Sequence, residues 1–221
     1  MKLLMEALIK FACGLLLVGL LIFLPAGTVY YPYGWLLIGL LFAPMLIAGF
    51  VMLSKSPDFL KKRLDAKEKQ GTQKGVVAVS GLMFIAGFVV AGLDYRFGWS
   101  NVPAWVVIAA SVLFLTAYAL YAEVMRENAY LSRTIKVEEG QTVVDTGLYG
   151  IVRHPMYAVT ILLFLMIPLV LGSWYALIAF AFYPAIIIVR LKDEEELLTR
   201  ELTGYTAYKQ KVKYRIIPFI W

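Results

Sequence analysis

The chain has one cysteine and one histidine in 221 residues. A lone cysteine, Cys13, allows no intrachain disulfide and no metal site of the cysteine type. A lone histidine, His154, argues against a zinc hydrolase site, which needs several N, S or O ligands. No metal is expected. The chain also lacks a G-x-G-x-x-G after a strand, a P-loop and a G-x-S-x-G, so soluble nucleotide-site and hydrolase signatures are missing. Charge is scarce as well, at 16% of residues. It is absent from Phe11 to Ser54, Gly75 to Leu93, Phe97 to Ala122 and, with the histidine neutral, His154 to Val189.

What replaces charge is apolar surface. The chain is 61% hydrophobic with a mean hydropathy of +0.76, against about 45–50% in soluble globular chains. A helix needs about 20 apolar residues to cross a bilayer. The first uncharged block holds two such spans, with Pro25-Ala26-Gly27 and Tyr31-Pro32-Tyr33-Gly34 marking the turn between them. The last block reads as two more, broken near Gly172-Ser173. The expected fold is therefore all-α and multi-pass, with about six transmembrane helices near 7–26, 34–53, 76–93, 103–122, 155–171 and 173–190. The last two are short, which favours a tilted or closely packed hairpin. Lys2 and Lys10 precede the first span, but no small-x-small cleavage site follows before Pro25, so it reads as a retained span rather than a signal peptide.

Lys and Arg set the orientation. All but one of the 21 basic residues lie before span one, in 55–74, in 123–154 or in 190–221. Arg96 alone falls on the other side. Six spans then put both termini and the polar segments on the cytosolic face. The formal charge of +6 follows from this asymmetry, bordering the membrane, and does not call for nucleic acid as a partner. Membrane lipids are the expected surroundings.

Two unequal parts are expected within one membrane domain. Residues 1–122 are a four-span scaffold with few polar groups for chemistry. Residues 123–221 are the chemical region, containing a helical hairpin at 155–190. Segment 54–75 reads as a solvated loop with a short helix from Asp58 to Gln70. Glu123 to Leu131 continues span four out of the membrane. Thr134 to Val137 reads as extended and Glu139-Gly140-Gln141 as a turn. Pro155 suits a first helical turn, and Asp193 to Leu202 is a charged helix.

An antiparallel hairpin would bring Arg153 and His154 beside Arg190, Lys192, Asp193, Glu194, Glu195 and Glu196. With Gln141 to Val144 and Tyr149 on the same face, these residues form a polar cup over buried helices. Taken singly, each has an ordinary reading. Arg153 is a positive-inside anchor, the lone histidine is structural, and the glutamate run is a solvated helix face. Arg190 and Glu194 are a helix pair worth ~0.2–0.5 kcal/mol, and Tyr149, Tyr157, Tyr205 and Tyr208 are interfacial aromatics. Spacing alone does not choose between the cup and these readings.

The motifs do. Asn128-Ala129-Tyr130-Leu131-Ser132-Arg133-Thr134, Glu139-Gly140-Gln141-Thr142-Val143-Val144-Asp145-Thr146-Gly147-Leu148-Tyr149 and Val152-Arg153-His154-Pro155-Met156-Tyr157 resemble the isoprenylcysteine carboxyl methyltransferase family. Glu194-Glu195-Glu196-Leu197-Leu198 and Tyr205-x-x-Tyr208 continue the resemblance, which covers about 128–218. It implies a membrane-embedded enzyme dependent on S-adenosylmethionine (SAM), with the cofactor held by helix ends. By position, Gln141, Thr142, Val143 and Val144 would line the adenosine side, with Tyr149 packed near it. His154, Pro155, Met156 and Tyr157 would border the methionine end. Glu195, with Glu194 as the competing choice, would bind the cofactor's amino group or ribose. Arg190 would meet an acidic group of the acceptor. The implied acceptor is a prenylated cysteine carboxylate or another lipophilic small molecule, a phospholipid amine among them. Two departures stand out: Leu202-Thr203-Gly204-Tyr205 is one residue shorter than the family's Phe-Gly-x-x-Tyr, and Val212-Lys213 replaces its Val-Pro.

Two other readings compete. Tyr208 to Pro218 resembles the tail of the sterol reductases, which implies an NADPH-dependent sterol or lipid reductase of related membrane architecture. A non-catalytic membrane scaffold is the third.

Overall fold

The structure, a computed structural model, describes residues 2–64, 71–132, 134–135 and 137–221. Its helices are α1 (Lys2–Ala26), α2 (Pro32–Lys55), α3 (Pro57–Leu64), α4 (Gly71–Phe97), α5 (Ala104–Glu127), α6 (Pro155–Val170), α7 (Trp174–Phe180), α8 (Tyr183–Glu201) and α9 (Tyr205–Lys211), with a 3-10 turn at Gly147–Gly150. There is no strand among the described residues. The chain is an all-α, multi-pass membrane protein.

Among the described residues, five helical segments are long and apolar enough to cross a bilayer: α1, α2, Gln73–Phe97 of α4, α5, and Trp174–Glu201, which joins α7 to α8. The remaining expected span, α6, is apolar but has only 16 residues. At 1.5 Å per residue it is ~24 Å long, less than the ~30 Å hydrocarbon core. The span expected at 173–190 is not one continuous helix. Ala181 and Phe182 form a turn, with Phe182 N–H donating back only three residues to Ala179 O (3.3 Å). Pro184 explains the break: it has no N–H for the Phe180 carbonyl, and its ring crowds that oxygen.

Charge proved a poor marker of helix ends. α4 runs on through Asp94, Tyr95 and Arg96, beyond the expected end at Leu93. α5 ends at Glu127, because the Asn128 side chain accepts the Tyr130 N–H (3.0 Å) and turns the chain away. The helix expected over Asp58–Gln70 is observed as Pro57–Leu64, and residues 65–70 lie outside the described residues. So does Lys136 of the expected extended stretch, and so does Arg133.

The core is formed by α1, α2, α4, α5, α6, α7 and α8. Phe84 on α4 sits edge-on to Phe164 of α6 (4.8 Å between centroids) and to Phe180 of α7 (5.5 Å). At one end of α4, buried Asp94 accepts from the Ser100 N–H and hydroxyl (both 2.6 Å) and from the Ser173 hydroxyl. Ser173 in turn caps α7 by accepting the Ala176 N–H (3.0 Å). This knot fixes the entry of α7 and, through it, the path of α8 toward the opposite end, where the polar segments gather.

α1 and α4 touch backbone to backbone. A Cβ on Gly92 would lie 2.5 Å from the Ile22 carbonyl oxygen and 3.0 Å from the Ala26 nitrogen. Small residues permit such close approach between membrane helices. Gly92→Ala is expected to push the two helices apart and cost about 1–3 kcal/mol, the usual range for overpacking. A thermal midpoint in detergent equal to that of the parent would count against this crossing.

Candidate functional site

At the other end of α4, a cleft opens among the end of α5, residues 131–132, 134–135 and 141–144, the 3-10 turn, the start of α6, α8 and α9. Its empty volume is about 830 Å³, open mouth included.

The 3-10 turn supplies its first wall. Gly147 has φ of +51°, and a Cβ there would fall 1.5 Å from Oε1 of Glu127. The Glu127 carboxylate lies directly over the glycine and accepts the Leu148 N–H (3.0 and 3.2 Å). Only glycine satisfies both the left-handed backbone and the close carboxylate. The turn presents Tyr149, whose hydroxyl accepts from Asn128 Nδ2 (3.0 Å) and whose carbonyl accepts from the Tyr208 hydroxyl (2.7 Å). Burial pushes the Tyr149, Tyr205 and Tyr208 hydroxyls well above the usual tyrosine range, so all three stay protonated at any physiological pH. Gly147→Ala should cost at least ~1–2 kcal/mol from the left-handed backbone alone and should also unseat Tyr149. The check is the thermal midpoint together with proteolysis at 140–150. An unchanged pattern would refute the seating.

Arg153 and His154 form the floor. Their N–H groups donate to Tyr214 O (2.9 Å) and Arg215 O (2.8 Å), which ties the mouth of α6 to the chain after α9. The Arg153 guanidinium donates through Nη1 to the carbonyls of Val212 (2.8 Å) and Lys213 (2.9 Å), and through Nε to Glu195 Oε1 (2.6 Å). His154 Nε2 is 3.3 Å from the same oxygen, and Arg215 Nε reaches Oε2 at 2.9 Å. Both Glu195 oxygens are therefore occupied by the protein's own cationic and imidazole groups, and its carboxylate does not line the cleft.

Glu194, the next residue on α8, does line it. Its Oε2 accepts the Tyr157 hydroxyl. Tyr157 accepts in turn from Arg190 Nε (3.1 Å), one helical turn before Glu194. Arg190 Nη1 donates to Gln73 Oε1 (3.0 Å), and Gln73 Nε2 donates to Asp193 Oδ2 (2.8 Å). The chain Glu194–Tyr157–Arg190–Gln73–Asp193 links α8, α6 and α4 by hydrogen bonds.

Of the residues expected at the site, Gln141, Thr142, Val143, Val144, Tyr149, His154, Met156, Tyr157, Arg190 and Glu194 all line the cleft. Two do not. Pro155 is buried as the first residue of α6, where its ring starts the helix. Glu195 is turned into the ion cluster. Gln141 lines the cleft while its Oε1 accepts the Glu138 N–H (2.9 Å), closing the 138–141 turn. Sequence reasoning missed Gln73, which lies fully buried in what looked like solvated loop. It also missed Asn128 and Arg215 as anchors of Tyr149 and Glu195. No periodicity marks Gln73; only its place at the mouth of an apolar helix hints at a bonded role.

Residues 104–200 match the model of the Isoprenylcysteine carboxyl methyltransferase (ICMT) family. The uncharacterized protein YpbQ of Bacillus subtilis (strain 168) is 33% identical over 95 residues, 42% of this chain and 56% of that protein. A Delta(14)-sterol reductase of Methylotuvimicrobium alcaliphilum is 24% identical over 136 residues, covering 55% of this chain and 32% of the reductase. The mouse Delta(14)-sterol reductase TM7SF2 is 30% identical over 91 residues, 40% of this chain and 22% of its own length. The chain thus spans little more than half of the first of these relatives and a third or less of the two reductases. The matched region contains α5, the 3-10 turn, α6, α7 and nearly all of α8, the elements that build most of the cleft. Over residues 104–200, the chain is thus similar to the isoprenylcysteine carboxyl methyltransferase family.

Proposed function

We propose that the cleft binds SAM and that the protein transfers its methyl group to a lipophilic acceptor at the cytosolic membrane face. The single observation that carries this reading is the donor set of the cleft: among the described residues, one carboxylate, Glu194, faces it, while the two arginines there are already bonded to protein acceptors. SAM is a zwitterion with a cationic sulfonium and an ammonium group, and a carboxylate suits both. NADPH carries several phosphate charges and would need cations facing the cleft. Among the described residues, Arg153 is engaged by Glu195 and two carbonyls, and Arg190 by Tyr157 and Gln73. The sterol reductase relatives keep the reductase reading as the second one, and this charge balance weighs against it.

SAM supplies an electrophilic methyl on a sulfonium sulfur. The protein's part is alignment and exclusion of water. Val143, Val144 and Leu198 offer apolar surface and Tyr149 an aromatic wall for the adenosine, with Gln141 and Thr142 at the rim. His154, Met156, Tyr157 and Glu194 would surround the methionine end. Arg190 would meet an acidic group on the acceptor, which by the family's name is the carboxylate of a prenylated cysteine. A carboxylate acceptor needs no general base. An amine acceptor would have to lose a proton, and in this reading Glu194 would take it. In this reading residues 1–122 serve mainly as scaffold, with Gln73 reaching from it to the site.

Titration calorimetry of the full chain in detergent, with SAM and NADPH in separate experiments, tests the proposal. SAM is expected to bind and NADPH not. NADPH binding without SAM binding would overturn the reading, and binding of neither would return the chain to a scaffold role. Incubating membranes with methyl-labelled SAM would then identify the acceptor.

A further inference from the structure

The turn at 216–221 buries Ile216 but exposes three other apolar side chains. Phe219 is 86% exposed, Ile220 76% and Ile217 48%. Phe219 is also the one non-glycine residue with a positive φ among the described residues, at +66°. That conformation is unfavourable for a bulky residue and persists only where the surroundings impose it. They do so here: Trp221 O accepts the N–H groups of Ile216 (2.9 Å) and Ile217 (3.0 Å), and the Trp221 N–H returns to Ile217 O (3.1 Å). Trp221 itself packs on the main core, with the Arg215 guanidinium 5.2 Å above its ring. The turn is closed from within and holds Phe219 and Ile220 outward.

Its position follows from the α6 junction. Arg153 and His154 donate their N–H groups to the carbonyls of Tyr214 and Arg215, and α6 enters its uncharged run immediately afterwards, at Pro155. The backbone at 214–215 therefore lies at the level where an apolar helix passes from headgroups to hydrocarbon. The exposed tip begins two residues later. Lys209, Lys211 and Lys213 precede it, as basic residues do beside an anionic leaflet.

We propose that Ile217, Phe219 and Ile220 form a membrane-inserted tip, seated in the leaflet on the cleft side of the protein. The occupant of this apolar surface is the acyl and glycerol zone of the same bilayer that the long helices cross. Aromatic and aliphatic side chains favour that depth. Arg215 joins the tip to the site, since it lies over Trp221 and also bonds Glu195 in the cleft floor. The inference does not depend on which cofactor the cleft binds.

The test uses the full chain in a Cys13→Ser background, reconstituted into vesicles of phosphatidylcholine with phosphatidylglycerol. Ile220→Cys and, separately, Ile217→Cys are labelled with an environment-sensitive fluorophore. Ile47→Cys on exposed apolar surface of α2 and Lys211→Cys are the lipid and water references. The tip labels are expected to emit to the blue of Lys211→Cys, to be quenched by lipids spin-labelled near the headgroup, and to resist iodide several-fold better than the Lys211 label. Iodide quenching equal to that at Lys211→Cys at both tip positions would overturn the proposal. Shielding that develops only when a soluble cell extract is added would overturn it too, by giving the tip a protein partner.

Discussion

Glu195→Gln should be the most destabilising single substitution in the cleft floor, costing about 3–5 kcal/mol, the range for breaking a buried ion pair from one side. The carboxylate is buried with Arg153 and His154 and holds Arg215 at the edge. Taking away its charge leaves the Arg153 guanidinium buried with neutral acceptors alone, the glutamine oxygen and the Val212 and Lys213 carbonyls. Arg215→Gln should cost much less, because its side chain is one-third exposed and water can replace what is lost. The measurement is the thermal midpoint of each variant in the same detergent. Equal midpoints for Glu195→Gln and the parent would show that the cluster does not hold α6, α8 and the 212–215 segment together. Any loss of ligand binding in Glu195→Gln should track unfolding rather than act at the cleft alone.

The contrast between Glu194 and Glu195 shows where sequence reading stops. The uncharged runs revealed the membrane helices because burying charge in lipid is costly wherever it occurs. The break inside the last span was less visible, since Pro184 is a local signal that an apolar run conceals. The cleft was legible as a set of motifs: ten of the twelve residues expected there line it. Which glutamate faces inward was not legible. Adjacent helical positions differ by about 100° in direction, so the answer depends on how α8 is rotated against α6. That rotation is set by long-range packing, including Leu191 and Ile187 in the core and the Asp94 knot at the far end. Gln73 was hidden for the same reason, as its partners are 117 and 120 residues away in sequence.

Glu194→Gln is expected to do the reverse of Glu195→Gln: keep the fold and lose the chemistry. Glutamine retains an oxygen to accept the Tyr157 hydroxyl, and the site is open to water at its mouth, so the thermal midpoint should stay close to that of the parent. What disappears is the one negative charge that faces the cleft among the described residues. A hydrogen bond to a charged group is worth about 1.5–3 kcal/mol, which predicts a weakening of SAM binding by roughly 10- to 150-fold, at 1.4 kcal/mol per factor of ten. Glu194→Asp should recover part of this, because the charge returns on a shorter arm. The kinetics then separate two roles. If Glu194 only holds the cofactor, saturating SAM restores turnover in Glu194→Gln. If it also takes a proton from an amine acceptor, turnover stays low at saturation. Unchanged SAM affinity with unchanged turnover would remove Glu194 from the site altogether. The case for a cationic ligand would fall with it, because no other carboxylate lines the cleft among the described residues.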